Sequence, residues 1–444
     1  MKPLNSHNPS IKIALILALI LVFLIPIQMI KSLISDRKSY QDEAIKSITE
    51  PLGGEVEIQG FVIAVPYNSY VQTANSTVVK TKYMFFAPDS YNMDFSVSPY
   101  YLYRGIFKVP VFNGKIAINA QFRNFEYSNF DIKQEDILQK DAILILGFSN
   151  KKNFTSTPKL NINGKDLSAV TIKDGSISPF YMSLYYKLSD SGIDLSNTLN
   201  LTGNIDFQGG ENIKIRPNAT ENHIKMTSDW ASPSFSGGWL PKEREISAKG
   251  FTASWEIAGL STTYPKSWSS ENGYFSLSSK SKETVDTSFI IPVDTYKKTE
   301  RSVKYSVLFL LIPFIALFIS EIFSKIRIHL IQYGLIGLAD VIFYLLLLSI
   351  SEHLSFDIAY WICSICVSLS TLFYAAAIFK KIRWGGMLSS VQFVSYSFLF
   401  VILQAEDYAL LFGSIGLFVT VVLLMFITRK VDWYELGSNH MQDQ

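Results

Sequence analysis

Residues 305–323 read YSVLFLLIPFIALFISEIF, and this apolar run is followed closely by four more. The later runs cover residues 330–350, 358–379, 388–403 and 409–427. At about 1.5 Å per residue, runs of this length approach the roughly 30 Å thickness of the hydrocarbon core of a bilayer. The run at 388–403 is shorter and contains Gln392, but the spans around it leave no room for a soluble domain. The sequence therefore predicts five C-terminal transmembrane helices.

A further apolar run lies near the N-terminus, at residues 13–30, with basic residues on both sides. A cleaved signal peptide is the rival interpretation, but its apolar region is usually about 7–15 residues long and ends in small residues. This run ends in Ile30-Lys31-Ser32, which is a poor cleavage site. It is therefore predicted to be an uncleaved anchor. The fold class is a mixed membrane protein with six transmembrane α-helices, one N-terminal and five C-terminal.

The composition agrees with a membrane protein. The 444 residues include 18% charged side chains, against about 25% in soluble domains, and the mean hydropathy is +0.20. The net charge is only +2 and the basic residues form no stripe along the chain, which disfavours nucleic acid as a partner. The aromatic content of 14% excludes a disordered chain. The lipid bilayer is the partner that the composition predicts.

Charges in the short connections predict the orientation of the helices. Basic residues occupy the connections at 324–329 and 380–387, and two more begin the C-terminal tail. The alternate connections, at 351–357 and 404–408, contain no Lys or Arg. By the positive-inside rule, both termini are cytoplasmic and residues 32–303 lie outside. We expect a multi-pass protein of the bacterial inner membrane with a large periplasmic domain.

The segment between the first two spans has the pattern of an all-β domain. Residues 32–50 are expected to continue the first helix until Pro51-Leu52-Gly53-Gly54 ends it. Beyond this point, short runs with period-two alternation are separated by turn residues, and Asn113-Gly114 and Asn163-Gly164 predict hairpin turns. The segment contains no Cys, which suits a bacterial periplasm. The predicted fold of this domain is sandwich-like.

These features divide the chain into four parts. They are the cytoplasmic N-terminus with the first helix at 1–31, the periplasmic β-rich domain at 32–303, the five-helix transmembrane domain at 304–428 and the cytoplasmic tail at 429–444. Two similarly patterned stretches of the β-rich domain leave a division into two lobes open, at about 51–150 and 178–303.

The sequence offers no catalytic motif. It lacks a Gly-x-x-x-x-Gly-Lys phosphate loop, a His-Glu-x-x-His zinc pair and a Gly-x-Ser-x-Gly nucleophile elbow. Cys363 and Cys366 lie three residues apart on one helix face, but two further zinc ligands are missing, so they are interpreted as packing residues. We therefore predict a protein that is not an enzyme and has no cofactor and no metal site.

Asp340 is a candidate functional residue inside the membrane. It stands near the middle of the third span, where an unpaired acid costs about 2.5–3.5 kcal/mol on insertion scales. One interpretation is a proton or ion relay. The other is a neutral acid that is hydrogen-bonded between helices.

A second group of polar residues, the outer-face cluster, lies where spans end on the predicted outer side. Glu352 and His353 follow the third span, and Gln404, Glu406 and Asp407 follow the fifth. If these spans are neighbours, His353 can meet Glu406 or Asp407, and a nearby carboxylate would favour the charged imidazole. The alternative is a set of loop carboxylates that meet water at the end of a helix.

A juxtamembrane anchor is predicted just before the second span, formed by Asp294, Tyr296, Arg301 and Lys304. Tyr296 suits the interfacial aromatic belt, and Arg301 and Lys304 can reach lipid phosphates. Asp294 can pair with Arg301. Such an anchor would hold the β domain to the bilayer.

A series of different short motifs, in a fixed order, extends along nearly the whole chain. In the membrane half they are Ile328-His329, Gln332-Tyr333, Gly337-Leu338, the run Phe343 to Ser349, Ser351-Glu352-His353, Gln404, Glu406-Asp407-Tyr408-Ala409-Leu410-Leu411, Gly413-Ser414 and Asp432-Trp433-Tyr434. In the β-rich half they include Val65-Pro66-Tyr67, Arg104-Gly105-Ile106, Val109-Pro110-Val111, Pro233-Ser234-Phe235 and Pro292-Val293-Asp294. In these motifs, from about residue 50 to 435, the chain resembles the CreD family of inner-membrane proteins.

Three positions depart from the pattern of that family. Phe61 follows Gly60 where the family usually has Pro, and Ser232 stands where it usually has His. Asp340 replaces a small or apolar residue, which weakens the idea of a family-wide relay through this acid. By contrast, the residues of the outer-face cluster occupy motif positions.

The resemblance implies an inner-membrane protein linked to a two-component system that responds to envelope stress, with altered tolerance to colicins and β-lactams. It supplies no catalytic residue, substrate or cofactor. We therefore expect a cell-envelope integrity protein whose β domain binds an unidentified periplasmic or envelope protein or ligand while the helices anchor it. The alternative is a transporter or lipid-handling protein that uses the helical bundle as a path, although no inverted repeat is visible.

Overall fold

The computed structural model describes residues 9–73, 76–170, 177–180, 182–189, 192–270, 283–289, 295–324, 326–405 and 408–429. The chain divides into two compact units. The membrane unit comprises Met1–Gln41 and Val293–Gln444, and the β unit comprises Asp42–Pro292. The predicted fold class, with apolar helices before and after a large β-sheet region, is confirmed.

The described residues form seven α-helices: α1 (Pro9–Thr49), α2 (Thr295–Lys304), α3 (Ser306–Ser324), α4 (Leu330–Ser351), α5 (Phe356–Phe379), α6 (Ile382–Gln404) and α7 (Ala409–Thr428). All except α2 are long and apolar enough to cross a membrane, so the prediction of six spans is confirmed. The predicted continuation of the first helix is also confirmed. Helix α1 ends at Thr49 and is followed by a short 3₁₀ turn, Glu50–Leu52, and by Gly53 with a φ of 94°.

One face of α1 is buried along its apolar part. The buried side chains recur at alternating intervals of four and three residues, at Ile16, Ile20, Phe23, Ile27, Ile30 and Ile34. Such intervals fall on one side of a helix with about 3.6 residues per turn. The other side carries exposed apolar residues, Leu17, Leu21, Ile25 and Met29, which suit contact with lipid.

Helix α6 begins six residues earlier than the predicted span at 388–403. Lys380 adopts a left-handed conformation with a φ of 54°, which ends α5, and Lys381 is the N-cap of α6. The sequence hides this start because Gly385-Gly386 resembles a turn. Instead, Gly385 lies inside α6, where a Cβ would come within 2.5 Å of the carbonyl oxygen of Leu372 in α5. The glycine therefore permits α5 and α6 to approach closely.

The β unit contains seventeen described strands. They are β1 (Val56–Thr73), β2 (Ser76–Phe86), β3 (Ser90–Arg104), β4 (Phe107–Phe122), β5 (Ile143–Phe148), β6 (Lys159–Ile162), β7 (Lys165–Leu167), β8 (Ala169–Val170), β9 (Met182–Lys187), β10 (Leu199–Gly210), β11 (Asn212–Ile215), β12 (Glu221–Ser228), β13 (Pro233–Gly237), β14 (Glu243–Ser247), β15 (Gly250–Ala258), β16 (Ser267–Ser269) and β17 (Val285–Phe289).

These strands form two sheets. One has the order β13-β17-β11-β1-β5-β9-β8, with β2 pairing to β1 and β16 to β2, and the other has the order β14-β15-β12-β3-β4-β10-β6-β7. One core of aromatic and aliphatic side chains includes residues of both sheets, such as Phe61 of β1 and Tyr91 of β3, whose rings meet edge to face at 5.9 Å, and a second cluster includes Phe85 of β2 and Trp268 of β16. The all-β interpretation of this segment is therefore confirmed.

The division into two lobes does not occur among the described strands. Strand β1 pairs in parallel with β11, and β4 pairs antiparallel with β10, from Leu199↔Phe122 to Gly210↔Val111. Strand β3 likewise pairs in parallel with β12. Each sheet thus combines strands from 51–150 with strands from 178–303, and the two stretches fold as one unit.

One of the two predicted hairpin turns is correct. Asn163 and Gly164 connect β6 to β7, and both have a positive φ, 50° and 83°, as a type I′ turn requires. Asn113-Gly114 instead lies in the interior of β4, where Gly114 pairs with Phe207. A Cβ on Gly114 would come within 2.4 Å of the Phe207 ring, so this glycine makes room for an aromatic side chain.

Gly337 is the point at which α1, α3 and α4 pack closely. The rings of Phe23 in α1 and Phe314 in α3 lie 6.2 Å apart, and both contact the face of α4 at Gly337. A Cβ at this position would come within 2.6 Å of Phe23 and 2.5 Å of Phe314. Gly334, one turn earlier on α4, has no neighbouring atom within 4 Å of its Cβ position.

The two glycines provide a matched pair of variants. Gly337→Ala should lower the free energy of unfolding by about 1–3 kcal/mol, because the added methyl group overpacks a filled contact between three helices. Gly334→Ala should be neutral or stabilising by up to about 1 kcal/mol, because alanine favours the helix and meets open space. Thermal unfolding of the purified proteins in detergent measures both. An equal effect of the two substitutions would contradict the proposed packing role of Gly337.

Candidate functional site

Glu352 joins three helices at one end of the membrane unit, which we call the Arg37 end. Glu352 is the C-cap of α4, and its side chain is only 8% exposed. The carboxylate oxygen Oε1 accepts a hydrogen bond from the hydroxyl of Tyr296 in α2 at 3.0 Å and lies 3.4 Å from Nε of Arg37 in α1. A largely buried carboxylate needs such partners, because an unpaired charge would be costly. Glu352 thereby connects α1 and α2 to α4.

A second polar group at this end joins α2 to α5 and α6. Lys298 in α2 donates to Oε1 of Gln404 at 3.3 Å and lies 3.9 Å from Oδ1 of Asp357. Nε2 of Gln404 donates to the same Asp357 oxygen at 2.8 Å. The Lys298 ammonium also stands 5.5 Å from the centre of the Phe356 ring. Gln404, a member of the predicted outer-face cluster, is therefore held in a network that links three helices.

His353 is exposed, and among the described residues its side chain makes no hydrogen bond or ion pair. Glu406 and Asp407, the partners predicted for it, lie outside the described residues. The structure thus brings two members of the outer-face cluster into separate contact groups, Glu352 with Tyr296 and Gln404 with Asp357. The pairing of His353 with a carboxylate stays a prediction.

The juxtamembrane anchor corresponds largely to helix α2. Tyr296 is buried and bonded to Glu352, Arg301 is half-buried and Lys304 is exposed. Asp294, the predicted partner of Arg301, lies outside the described residues. The hydrogen bond of Tyr296 is therefore with a protein group, and its interfacial position stays a prediction.

A similar group occupies the opposite end of the membrane unit, the Lys12 end. Lys12 in α1 forms an ion pair with Glu321 in α3 and donates to the carbonyl oxygen of Ile328 at 2.8 Å. The other oxygen of Glu321 accepts from the hydroxyl of Tyr333 in α4 at 2.8 Å. Each end of the unit thus has a cation from α1, a glutamate and a tyrosine.

The start of α4 is fixed next to this group by a capping box. Nδ1 of His329 accepts a hydrogen bond from the backbone N–H of Ile331 at 3.3 Å, and Oε1 of Gln332 accepts from the backbone N–H of His329 at 2.9 Å. The motif residues at 328–333 therefore have a structural role, because they begin α4 and contact Lys12 and Glu321.

Asp340 lies in a buried polar group between α4 and α6. Its Oδ1 accepts hydrogen bonds from Nε2 of Gln392 and, at 2.8 Å, from the hydroxyl of Tyr396. Phe343 stacks on Tyr396 with ring centres 4.3 Å apart, which encloses the group. Oδ2 of Asp340, Oε1 of Gln392 and the hydroxyl of Tyr344 are buried, and the described residues give them no hydrogen-bond partner. Of the two interpretations, the hydrogen-bonded acid between helices matches the contacts of Oδ1.

The described residues contain no group of three or more His, Cys, Asp or Glu side chains that could hold a metal ion. Cys363 and Cys366, free thiols on α5, are buried and exposed respectively. In the contacts above, the charged and amide side chains of the described membrane unit connect helices to one another, whereas many Ser and Thr hydroxyls bond the backbone of their own helix.

Comparisons with known proteins agree with this architecture. A family model described as "Inner membrane protein CreD" matches residues 8–434. The chain is 26% identical to the Inner membrane protein CreD of Escherichia coli (strain K12) over 430 residues, which cover 95% of this chain and 93% of that protein.

The chain belongs to the CreD family of inner membrane proteins.

Solved structures add little to the family assignment. An M1 zinc metallopeptidase from Deinococcus radiodurans, solved with a Tyr-Ser-Ala substrate, matches with 10% identity and a TM-score of 0.21. A two-domain M1 zinc metallopeptidase bound to L-arginine matches with the same values. Each match covers 38% of this chain and 39% of the other, so the chain spans about two fifths of these solved proteins. At this TM-score the likeness carries no argument about fold or function.

The cations that complete the two end groups were not among the site residues predicted from the sequence of this CreD-family chain. Lys12 and Arg37 stand just outside the apolar run of α1, and each meets a glutamate near the end of another span. Their position on either side of an apolar run was the feature of the sequence from which these two cations could have been predicted as contact residues. Their partners could not be named, because each lies roughly three hundred residues away along the chain.

Substitutions at Glu352 should separate its structural role from that of the neighbouring exposed residue. Glu352→Ala should lower the free energy of unfolding by about 1–3 kcal/mol, because it removes the carboxylate that accepts from the Tyr296 hydroxyl at 3.0 Å and pairs with Arg37. Glu352→Gln should cost less than about 1 kcal/mol, because its amide oxygen can still accept from Tyr296 and only a partly exposed ion pair is lost.

His353→Ala is the control, and we expect a change within about 0.5 kcal/mol because the side chain is exposed. Unfolding curves in detergent at constant pH and salt measure all three variants. If Glu352→Ala is as stable as the parent protein, Glu352 does not hold α2 and α4 together.

Proposed function

We propose that the chain is a cell-envelope integrity protein in which the membrane helices anchor the β unit and the β unit binds an envelope partner. One observation carries this proposal. Arg37 and Tyr296 belong to the two chain segments that lead into and out of the β unit, and both contact the same carboxylate oxygen of Glu352. The two connections to the β unit are therefore held to one helix of the membrane unit, as an anchoring function requires.

The proposed orientation places the β unit in the periplasm and both termini in the cytoplasm. The basic residues of the short connections support it, since Arg327, Lys380, Lys381 and Arg383 share one predicted side. The Lys12 end then faces the cytoplasm and the Arg37 end faces the periplasm. Membership of a family of inner membrane proteins supports the location in that membrane.

Complementation tests the anchoring function. A bacterial strain that lacks its own CreD-family protein would be supplied with the parent chain, Glu352→Ala or His353→Ala, and its tolerance to a β-lactam would be measured. We expect Glu352→Ala to approach the empty-vector strain, because both connections to the β unit lose their shared contact. We expect His353→Ala to match the parent chain.

Membrane levels of each variant, measured by immunoblotting, are the control for expression. If His353→Ala loses the phenotype at normal membrane levels, the exposed part of the outer-face cluster itself carries function and the anchoring proposal is insufficient. If Glu352→Ala complements fully, anchoring through this carboxylate is not needed.

A transporter or lipid-handling protein is the second candidate. Two observations favour it: the unpartnered oxygens around Asp340 and an apolar cleft of about 760 Å³ between α3, α6 and α7. Phe309, Trp384 and Phe398 are among the residues that line the cleft. A path for an ion would need the charge or the proton of Asp340, whereas an anchoring bundle would need only its hydrogen bonds.

Two substitutions at Asp340 distinguish these functions. Asp340→Asn keeps an oxygen that can accept from Tyr396 and Gln392, so we expect a folded protein that supports the envelope phenotype. Asp340→Ala leaves those two buried donors without an acceptor and should cost about 1–3 kcal/mol for each. Unfolding in detergent and the complementation assay measure both variants. Loss of the phenotype in a stable Asp340→Asn protein would favour the relay and the transport function.

A further inference from the structure

The turn between β3 and β4 forms a projecting hairpin end, residues 100–108, with an unusual composition. Its sequence is YYLYRGIFK, and no acidic residue occurs from Phe95 to Phe125. The hairpin end therefore combines three tyrosines and three apolar residues with two cations, Arg104 and Lys108. This combination is typical of protein surfaces that contact the headgroup region of a bilayer.

The hairpin end extends beyond the core of the β unit. Strands β3 and β4 pair continuously as far as Arg104↔Phe107, and Gly105 closes the two-residue turn with a φ of 59°. In β3, buried and exposed side chains alternate as far as Val97, after which none is fully buried. In β4, the side chains are buried from Phe112 up to Val109, so the part beyond the core is the turn and the residues next to it. The exposed residues at the end are Tyr100, Leu102, Tyr103 and Ile106, and Tyr103 is 67% exposed.

Tyr101 holds the hairpin end to the rest of the β unit. Its ring lies 5.3 Å from that of Trp230, and the Lys108 ammonium stands 3.6 Å from the ring centre. Trp230 in turn contacts Phe289 at 6.1 Å. These contacts fix one side of the hairpin end, so that the aliphatic and aromatic side chains around the turn are presented by a rigid element.

The hairpin end lies at the same end of the β unit as both connections to the membrane helices. Val111 in β4 pairs with Gly210, and the side chain of Thr49, the last residue of α1, lies against Gly210. The Phe112 ring is 5.1 Å from Phe289, which ends the last strand before the chain enters the membrane unit. Both connections therefore reach β4 near residues 111–112.

Toward the turn, Pro110 and Val109 are still buried, and the hairpin end leaves the core at Lys108. The other end of the β3–β4 ladder contains Tyr91, whose ring packs in the core against Phe61 of β1. The turn between β3 and β4 therefore points away from that part of the core. Ile106 lies five residues before Val111 along β4. At about 3.3 Å per residue, the turn projects roughly 17 Å past the two connections.

We propose that the hairpin end at residues 100–108 docks on the phospholipid bilayer, with Leu102, Tyr103 and Ile106 in the interfacial region and Arg104 at the lipid phosphates. Arg104 and Lys108 complement the negative phosphates, and the exposed aromatic and aliphatic side chains suit the boundary between headgroups and acyl chains. The β unit is joined to membrane helices by both ends, and this raises the effective concentration of the bilayer at the hairpin end. A weak interfacial affinity is therefore sufficient, and no separate protein partner is required at this surface.

Fluorescence quenching in nanodiscs tests the proposal on the full-length chain. Cys363 and Cys366 would be replaced by alanine, a single cysteine introduced by Tyr103→Cys, and an environment-sensitive fluorophore attached to it. Nanodiscs of phosphatidylethanolamine and phosphatidylglycerol would carry a nitroxide at a shallow position of the acyl chain. We expect blue-shifted emission and strong quenching that depends on the nitroxide lipid.

Val79→Cys in the same background is the matched control. Val79 is exposed in β2, and it pairs with Tyr70 far along β1 from Val56, so its label should be quenched several-fold less. A charge reversal tests the role of the phosphates. Arg104→Glu should weaken quenching of the label at position 103, whereas Lys115→Glu, at an exposed cation in the interior of β4, should leave it unchanged.

Two results would overturn the proposal. Equal quenching of the labels at positions 79 and 103, or none at either, would show that the hairpin end does not enter the lipid interface. Blue-shifted emission at position 103 without quenching by the nitroxide lipid would show that protein covers the hairpin end, from the same chain or from a second copy. Retention of fold in each labelled variant would be checked by thermal unfolding.

Discussion

Helix α1 carries a cation at each end of its apolar run, and each cation pairs with another helix of the membrane unit. The packing of the membrane unit depends on these two contacts. Lys12 and Arg37 flank its apolar run, about 37 Å apart at 1.5 Å per residue, which exceeds the roughly 30 Å of a hydrocarbon core. Each cation pairs with a glutamate that is itself bonded to a tyrosine of another helix. The long separation in sequence between α1 and the other spans is thus compensated by specific contacts at both ends.

Between these boundaries, the packing relies on close approach and on paired polar groups. Gly337 and Gly385 allow neighbouring helices to come near, since side chains at either position would collide with atoms of α3 or α5. Asp340 meets Gln392 and Tyr396 across the α4–α6 contact. In lipid there is little hydrophobic driving force between helices, so such contacts determine which helices are neighbours.

Much of the architecture could be predicted from the sequence, because it depends on local patterns. The six spans, the continuation of α1 and the all-β segment follow from apolar run length and period-two alternation. Asn163-Gly164 forms the predicted turn because both residues adopt a positive φ. At Asn113-Gly114 the Phe207 ring packs against Gly114, and the strand continues instead of turning. The pairing of β4 with β10 and of β3 with β12 joins distant segments, and no local pattern specifies it.

In the candidate site, too, the residues could be predicted from the sequence but their partners on other helices could not. Glu352, Gln404 and Asp340 could be selected from the sequence, because a polar residue in or beside a span is costly unless it has a partner or a function. Their roles could not, because these depend on Arg37, Tyr296, Asp357 and Tyr396, which come from other helices.

Glu352 has a consequence for how the two connections to the β unit can move. Its Oε1 accepts from Tyr296 in α2 and faces Arg37 in α1, so both segments share a contact with one largely buried carboxylate. A displacement of either segment that breaks its contact leaves the other with a less well paired charge. The positions of α1 and α2 are therefore coupled by a free energy that acts in both directions. Helix α2 is also held to α5 and α6 through Lys298, so its release from the other helices requires both groups of contacts to break.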